Sequence, residues 1–142
     1  MTRIAFCLAL LLAAPAGAQT VFDRAVGLYG SAVNPAESCT QNPHRLDFMA
    51  APPHALFHWA HPAPDASGQM RDRERYDILD YDDGSITLRR EGDPQVTADG
   101  HLPIWILRLT STPAGYCWGR TDWPSVRCER QAVRCGDDAP TS

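Results

Sequence analysis

The segment from Tyr116 to Trp123 combines aromatic, cationic and acidic side chains within eight residues. The candidate binding residues in it are Tyr116, Trp118, Arg120, Asp122 and Trp123. In an extended strand the first three share one face, whereas Cys117 points to the opposite face. If the cysteine faces the core, the other face is exposed to solvent. Because Tyr, Trp and Arg are enriched in binding hot spots, the pattern predicts a recognition surface for a protein or a cell-envelope glycan.

These residues also allow a purely structural interpretation. The aromatic rings would then cap the end of a barrel, and Arg120 would form an ion pair with Asp122. Neither interpretation involves catalysis, and the chain contains no GxSxG elbow, P-loop or dinucleotide fingerprint. The sequence therefore predicts a non-catalytic binding module without a cofactor. An inhibitor of an envelope-directed hydrolase is one concrete version of it.

Three of the five histidines, His54, His58 and His61, have a spacing that would suit a metal site on a helix. Prolines on both sides leave little room for a helix, so we expect a strand. In a strand His54 and His58 lie on one face roughly 13 Å apart, which is too far for two ligands of one metal. Phe57 and Trp59 point the other way. The sequence therefore predicts no metal site.

Two further patterns suggest chemistry that the sequence does not support. Asp80, Asp82 and Asp83 precede a glycine, but aligning it with the glycine of an EF-hand places Leu79 and Tyr81 at ligand positions. A thiol nucleophile is disfavoured if disulfides consume the cysteines. The 17 acidic residues allow many carboxylate pairs and give no way to choose among them. A cell-envelope hydrolase is therefore the least favoured functional hypothesis.

Four of the five cysteines, Cys39, Cys117, Cys128 and Cys135, follow the first 18 residues. An even number in an oxidising compartment predicts two disulfides, for which the sequence allows three pairings. We favour Cys117–Cys128 as a local clamp and Cys39–Cys135 as a tie between the first and last parts of the domain. Zinc is the alternative, but none of the four cysteines forms a CxxC pair.

Residues 1–18 have the pattern of a secretory signal peptide. Arg3 precedes an apolar run from Ile4 to Ala14, and small residues form a cleavage site before Gln19. The apolar run is about half as long as a membrane-spanning helix requires, and no later stretch approaches that length. The sequence therefore predicts a periplasmic or secreted protein without a membrane span.

The remaining 124 of the 142 residues fit one domain. We place a single β-barrel-like domain at residues 19–136 and a disordered acidic tail at residues 137–142. Without Arg3, 12 basic residues stand against 17 acidic residues, and this formal charge of −5 disfavours a nucleic-acid partner. We expect a monomer.

The clearest local structure is a hairpin around Asp83-Gly84, which separates two alternating runs. Asp-Gly favours a two-residue type I′ turn because both positions need positive φ. That turn places Tyr81 opposite Ile86 and Leu79 opposite Leu88, so these four side chains share one face. A second Asp-Gly pair, at positions 99 and 100, predicts another hairpin.

Short strands joined by turns follow one another along the chain, and only residues 21–26 have the pattern of a helical turn. We count seven to nine strands. This number predicts an all-β fold, either a small antiparallel barrel of the lipocalin-like, up-and-down type or a sandwich. Because the hairpins follow one another in sequence, the barrel is our first choice.

Gly27-Leu28-Tyr29 resembles the opening of the lipocalins, with Tyr where that family has Trp. A small exported barrel with late cysteines is also similar to bacterial periplasmic lysozyme inhibitors and to barrel-type metalloprotease inhibitors. These resemblances cover few residues, and no functional residue is carried over from them. The alternative to surface recognition is a carrier whose barrel holds a small ligand, which would require an interior that large side chains do not fill.

Overall fold

The computed structural model describes residues 19–65 and 67–136. The predicted signal peptide and the predicted tail lie outside the described residues. The elements are a short helix α1 (Val21–Ala25), a 3₁₀ turn (Pro35–Glu37), and the strands β1 (Gly27–Ser31), β2 (His44–Ala50), β3 (Pro53–Pro64), β4 (Met70–Tyr81), β5 (Ser85–Arg90), β6 (Trp105–Ser111), β7 (Ala114–Arg120) and β8 (Glu129–Arg134).

The eight strands form a closed antiparallel barrel in chain order. Each strand pairs with its neighbours in sequence, and β1 closes the ring by pairing with β8 through Tyr29, Gly30 and Ser31. The predicted all-β fold and its up-and-down barrel are thereby confirmed. Because the sheet closes on itself, no strand of the ring is left with an unpaired edge.

One end of the barrel is closed by α1. The Thr20 hydroxyl accepts a hydrogen bond from the backbone N–H of Asp23, whose carboxylate accepts one from the backbone N–H of Thr20. Phe22 packs edge-on against Phe48 and Tyr81, with ring centroids 5.1 and 4.8 Å apart. The helix and the short turns after β2, β4 and β6 therefore block this end.

Arg134, the last residue of β8, fastens the barrel wall to α1. Its guanidinium donates to the carbonyl oxygens of Arg24 at 2.5 Å and Val26 at 3.0 Å. It also lies 5.1 Å from the centroid of the Tyr29 ring. The Tyr29 hydroxyl donates to the Ala25 carbonyl oxygen at 2.7 Å. Strand closure and helix docking thus share one set of contacts.

Apolar side chains fill the half of the barrel next to α1. Side chains alternate along a strand, so every second residue points inward. The fully buried, inward-facing residues of this half include Leu46, Ala55, Ile86, Leu88 and Leu107. Burying an aliphatic side chain of this size contributes about 1.5–3 kcal/mol to folding. The closed half is therefore the stabilising core.

Both predicted disulfides are present. Cys39 of the β1–β2 loop bonds to Cys135, which directly follows β8, so this bond reinforces the closure of the ring. Cys117 of β7 bonds to Cys128 of the β7–β8 loop. Two disulfides fit an oxidising compartment outside the cytoplasm. No helix in residues 19–65 or 67–136 is long and apolar enough to cross a membrane.

The hairpin of β4 and β5 is confirmed, but its register differs from the prediction. Tyr81 pairs with Ile86 as expected, whereas a β-bulge at Leu79 places Ile78 opposite Leu88. Leu79 is consequently 43% exposed, while Ile86 and Leu88 are fully buried. The extra residue turns Leu79 away from the face that the regular alternation had assigned to it.

The turns at the two Asp-Gly pairs also differ from the prediction. Neither residue of Asp83-Gly84 has a positive φ, so the turn is not of type I′. The Asp82 carboxylate shapes it instead by accepting hydrogen bonds from the backbone N–H groups of Gly84 and Ser85. Asp99-Gly100 forms an isolated turn, in which the backbone N–H of Thr97 donates to the His101 carbonyl oxygen at 2.9 Å. The β5–β6 connection is therefore a loop without strands.

Candidate functional site

The end of the barrel opposite α1 is open. A cavity of about 410 Å³ extends from this end into the barrel. It lies beneath the loops that follow β1, β3, β5 and β7, which are longer than the turns at the closed end. Small-molecule sites in proteins occupy roughly 300–1,000 Å³. The interior is therefore hollow enough in this half for a small ligand.

Aromatic side chains form the wall of the cavity, and Trp118 lies at their centre. Its ring stacks on Tyr76 and packs against Phe57, both with centroids 5.5 Å away, and meets Trp105 edge-on at 5.9 Å. Trp59 continues the wall beside Phe57. These residues come from β3, β4, β6 and β7, and each occupies an inward-facing position. Strand alternation alone therefore assembles the aromatic wall.

Of the five predicted binding residues, only Tyr116 and Trp118 line the cavity. The expectation that they face solvent is wrong, because Tyr116 is 2% exposed and packs inside the barrel. Cys117 is fully buried although it lies on the outer face of β7, where its bond to Cys128 draws the β7–β8 loop over it. Burial of a disulfide-bonded cysteine thus does not identify the inner face here. A binding role for Tyr116 and Trp118 stays a prediction.

The other three predicted residues lie around the rim. Arg120 forms an ion pair with Asp122, with Nη2 and Oδ2 2.7 Å apart, as the structural interpretation expected. This hydrogen bond lowers the pKa of the Asp122 carboxyl. Arg120 also donates to Gln95 Oε1 at 3.1 Å and lies 5.2 Å from the centroid of the Trp105 ring. Trp123 meets Trp105 edge-on at 6.5 Å. Arg120 therefore joins the β5–β6 and β7–β8 loops.

His44, which the sequence analysis did not single out, lies deep in the cavity. Its Nε2 is 2.5 Å from the Tyr116 hydroxyl oxygen. Burial lowers the pKa of His44 to about 4 and raises the pKa of Tyr116 well above its usual value, so both groups are neutral at neutral pH. As neutral groups they share one hydrogen bond, which either the hydroxyl or Nε2–H can donate, depending on the tautomer of the imidazole. Nδ1 has no hydrogen-bond partner among the described residues.

A chain of charged side chains forms another part of the wall. Arg90 Nη2 lies 2.6 Å from Glu74 Oε1 and 3.6 Å from Asp65 Oδ2, and Arg71 Nε lies 2.9 Å from the same Asp65 oxygen. The Tyr76 hydroxyl donates to Glu74 Oε2 at 3.1 Å. Burial raises the pKa of Glu74, although the Arg90 guanidinium opposes the shift. Both carboxylates are thus occupied by neighbours in the barrel wall.

The β5–β6 loop is held against the rim by Asp93. Its carboxylate accepts a hydrogen bond from Trp105 Nε1 at 2.8 Å and another from the backbone N–H of Gln95 at 2.9 Å. Asp93 is itself buried. The loop therefore fixes the Trp105 ring at the mouth of the cavity.

Comparison of the chain with protein-family models, with curated proteins and with solved structures finds no match. The site is therefore interpreted from its own geometry. One sequence signal for it existed: Phe57 and Trp59 were expected to share the face opposite His54 and His58, and both line the cavity. Nothing in the local sequence indicated that Glu74 and Arg90 would meet, since their contact crosses between β4 and β5.

The polar side chains of the cavity are largely paired with one another. His44 Nε2 is engaged by Tyr116, and the carboxylates of Asp65 and Glu74 are engaged by arginines. What the cavity presents to a ligand is aromatic ring surface, together with hydrogen-bond donors such as Trp59 Nε1.

Proposed function

We propose that the protein is an exported ligand-binding barrel that holds a small molecule with a flat, apolar body in its open cavity. The observation that carries this proposal is the hollow half of the barrel, walled by Phe57, Trp59, Trp105 and Trp118. Aromatic rings offer large apolar areas and prefer stacked or edge-on partners, which suits a planar ligand. The periplasm or the exterior is the proposed location, supported by the two disulfides and by the pattern of residues 1–18.

The structure gives less support to recognition of a protein or an extended glycan by the outer face of β7. Tyr116 and Trp118 are accessible only from inside the barrel, so a partner must be small enough to enter it. The closed end cannot admit a ligand, because α1 and the short turns block it. Binding therefore uses the single open mouth.

The first test measures binding of N-phenyl-1-naphthylamine, a neutral, flat probe whose fluorescence rises in apolar surroundings. The full chain is expressed and the oxidised protein is purified after export. Ala132→Phe places a ring in the cavity, because Ala132 is a buried lining residue of β8. We expect this variant to bind the probe at least about tenfold more weakly, since the ring competes for the same space.

The matched control is Ala50→Phe, which adds the same ring at an exposed position near the closed end. It is expected to bind the probe like the unmodified protein. Ala63→Phe, at a partly exposed lining position, repeats the test if Ala132→Phe fails to fold. Absence of probe binding, or equal binding by folded Ala132→Phe and Ala50→Phe, would overturn the proposed function.

A further inference from the structure

We propose that the ligand carries an anionic group and that Arg130 binds this group at the mouth of the cavity. This inference rests on the proposed function and names its ligand class: a flat aromatic or conjugated organic anion, such as a carboxylate or sulfonate. It follows from which charged and polar groups of the cavity already have partners and which do not.

The arginines that line the cavity differ in whether they have an ion-pair partner. Three arginines line the cavity, Arg71, Arg90 and Arg130. The first two form ion pairs with Asp65 and Glu74. The Arg130 guanidinium has neither an ion pair nor a hydrogen bond among the described residues, although it lies 6.0 Å from the centroid of the Trp105 ring. It is therefore the lining cation with its donors still available.

Arg130 has an unusual backbone conformation. With φ at +49°, it is the one residue other than glycine with a positive φ in residues 19–65 and 67–136. The strain sits beside the irregularity in the β7–β8 pairing between Tyr116 and Trp118. A side chain makes this conformation unfavourable, and such residues concentrate at binding sites. The Arg130 guanidinium lies across β7 from its own strand, beside Trp105 of β6.

Glu37 carries the one lining carboxylate that has no ion pair among the described residues. Glu37 ends the 3₁₀ turn between β1 and β2, on one flank of β8. The Arg130 side chain reaches Trp105 of β6, on the other flank. Within the described residues the two side chains form no ion pair with each other, so the guanidinium remains available to an anion beside Trp105.

The lining residues of the cavity also differ in which hydrogen-bond donors and acceptors already have partners. Trp59 Nε1, the donor of a lining residue, is buried without a partner among the described residues. The lining carboxylates Asp65 and Glu74 already accept from arginines. A buried donor without a partner is unfavourable, so this group favours a ligand that brings acceptor oxygens. Guanidinium groups bind carboxylates and sulfonates well because both present paired oxygens.

The test compares two probes with the same ring system. N-phenyl-1-naphthylamine is neutral, and 1-anilinonaphthalene-8-sulfonate carries one negative charge. Arg130→Gln removes the guanidinium charge and keeps a polar, unbranched side chain. We expect it to lower the sulfonate affinity about tenfold and to leave the affinity for the neutral probe unchanged, since a hydrogen bond to a charged group is worth roughly that factor.

Arg127→Gln is the matched control. Arg127 lies in the β7–β8 loop three residues before Arg130, is half exposed, does not line the cavity and already pairs with Glu129. It should leave the ratio of the two affinities unchanged. The unfolding midpoint of every variant confirms that it is folded.

The outcomes separate the two proposals. A selective fall of the sulfonate affinity in Arg130→Gln supports the inference. If the neutral probe binds in the cavity but the affinity ratio is the same in Arg130→Gln and Arg127→Gln, the inference is overturned and the proposed function stands. If Ala132→Phe does not reduce the binding of either probe, the proposed function fails, and the inference fails with it.

Discussion

His44 is a neutral imidazole enclosed by four aromatic rings. Tyr29, Phe57, Trp59 and Tyr116 all have ring centroids between 5.3 and 6.1 Å from it. Burial lowers its pKa from 6.5 to about 4 in the folded protein. Between these two values the unfolded chain binds more protons than the folded one, so the free energy of unfolding decreases as the pH falls.

The pH dependence of stability follows from this difference. Lowering the pH from 7 to 5 is expected to reduce the free energy of unfolding by about 2 kcal/mol through His44. His44→Gln still offers an acceptor to the Tyr116 hydroxyl but does not titrate. The variant is expected to lose this part of the pH dependence, measured by urea unfolding at several pH values.

The control for this prediction is His101→Gln, because the His101 side chain is 81% exposed. It should leave the pH dependence unchanged. Glu74 acts in the opposite sense, since its raised pKa lets the folded protein take up a proton first, and it is present in both variants. Parallel curves for the His44 variant and the unmodified protein would contradict the assigned burial.

At the scale of elements, β7 and β8 approach each other closely at Gly115. A Cβ atom added there would overlap the carbonyl oxygen of Ala132. Backbone cannot yield as a flexible side chain does, so Gly115→Ala is expected to lower the free energy of unfolding by about 2 kcal/mol or more. Denaturant unfolding of the oxidised protein measures the change.

Gly84→Ala serves as the comparison for this prediction. The nearest atom to its added Cβ is Asp82 Oδ1 at 3.8 Å, an ordinary contact. We expect a change within about 0.5 kcal/mol. Equal effects of the two substitutions would show that β7 and β8 are not packed as closely as described.

Alternation along the strands could be predicted from the sequence, but the direction of each face could not. Phe57 and Trp59 were grouped correctly, and so were Tyr116 and Trp118. The alternation of side chains along a strand identifies which residues share a face, but it does not indicate which face is the inner one. For β7 we took the face that carries the disulfide as the inner face. This assignment is wrong, because a loop covers Cys117 on the outer face of the strand. The bulge at Leu79 could not be predicted either, because the prediction assumed regular alternation along β4.

At the scale of the whole molecule, strand number and topology could be predicted because turns punctuate the chain at short intervals. The cavity could not be predicted. It depends on the ring of eight strands being wider than the side chains that enter its open half, and it is completed by β1 pairing with β8 across more than a hundred residues of sequence. A local sequence pattern does not indicate which strands pair when they are more than a hundred residues apart in the chain.

The two disulfides are nested: Cys117–Cys128 lies between the partners of Cys39–Cys135. In the export that we propose, Cys39 enters the oxidising compartment first and Cys117 second, and the folded barrel contains no Cys39–Cys117 bond. We expect oxidation without an exchanging thiol to trap the Cys39–Cys117 species, and a glutathione mixture to restore the native pairs. Peptide mapping by mass spectrometry distinguishes them, and complete native pairing without exchange would contradict this expectation.

The nesting has a temporal consequence. In the export that we propose, Cys39 reaches the oxidising compartment well before its native partner, which follows the last strand. The cavity that we propose as a binding site is then complete only after β8 has crossed the membrane, because β8 closes the ring with β1.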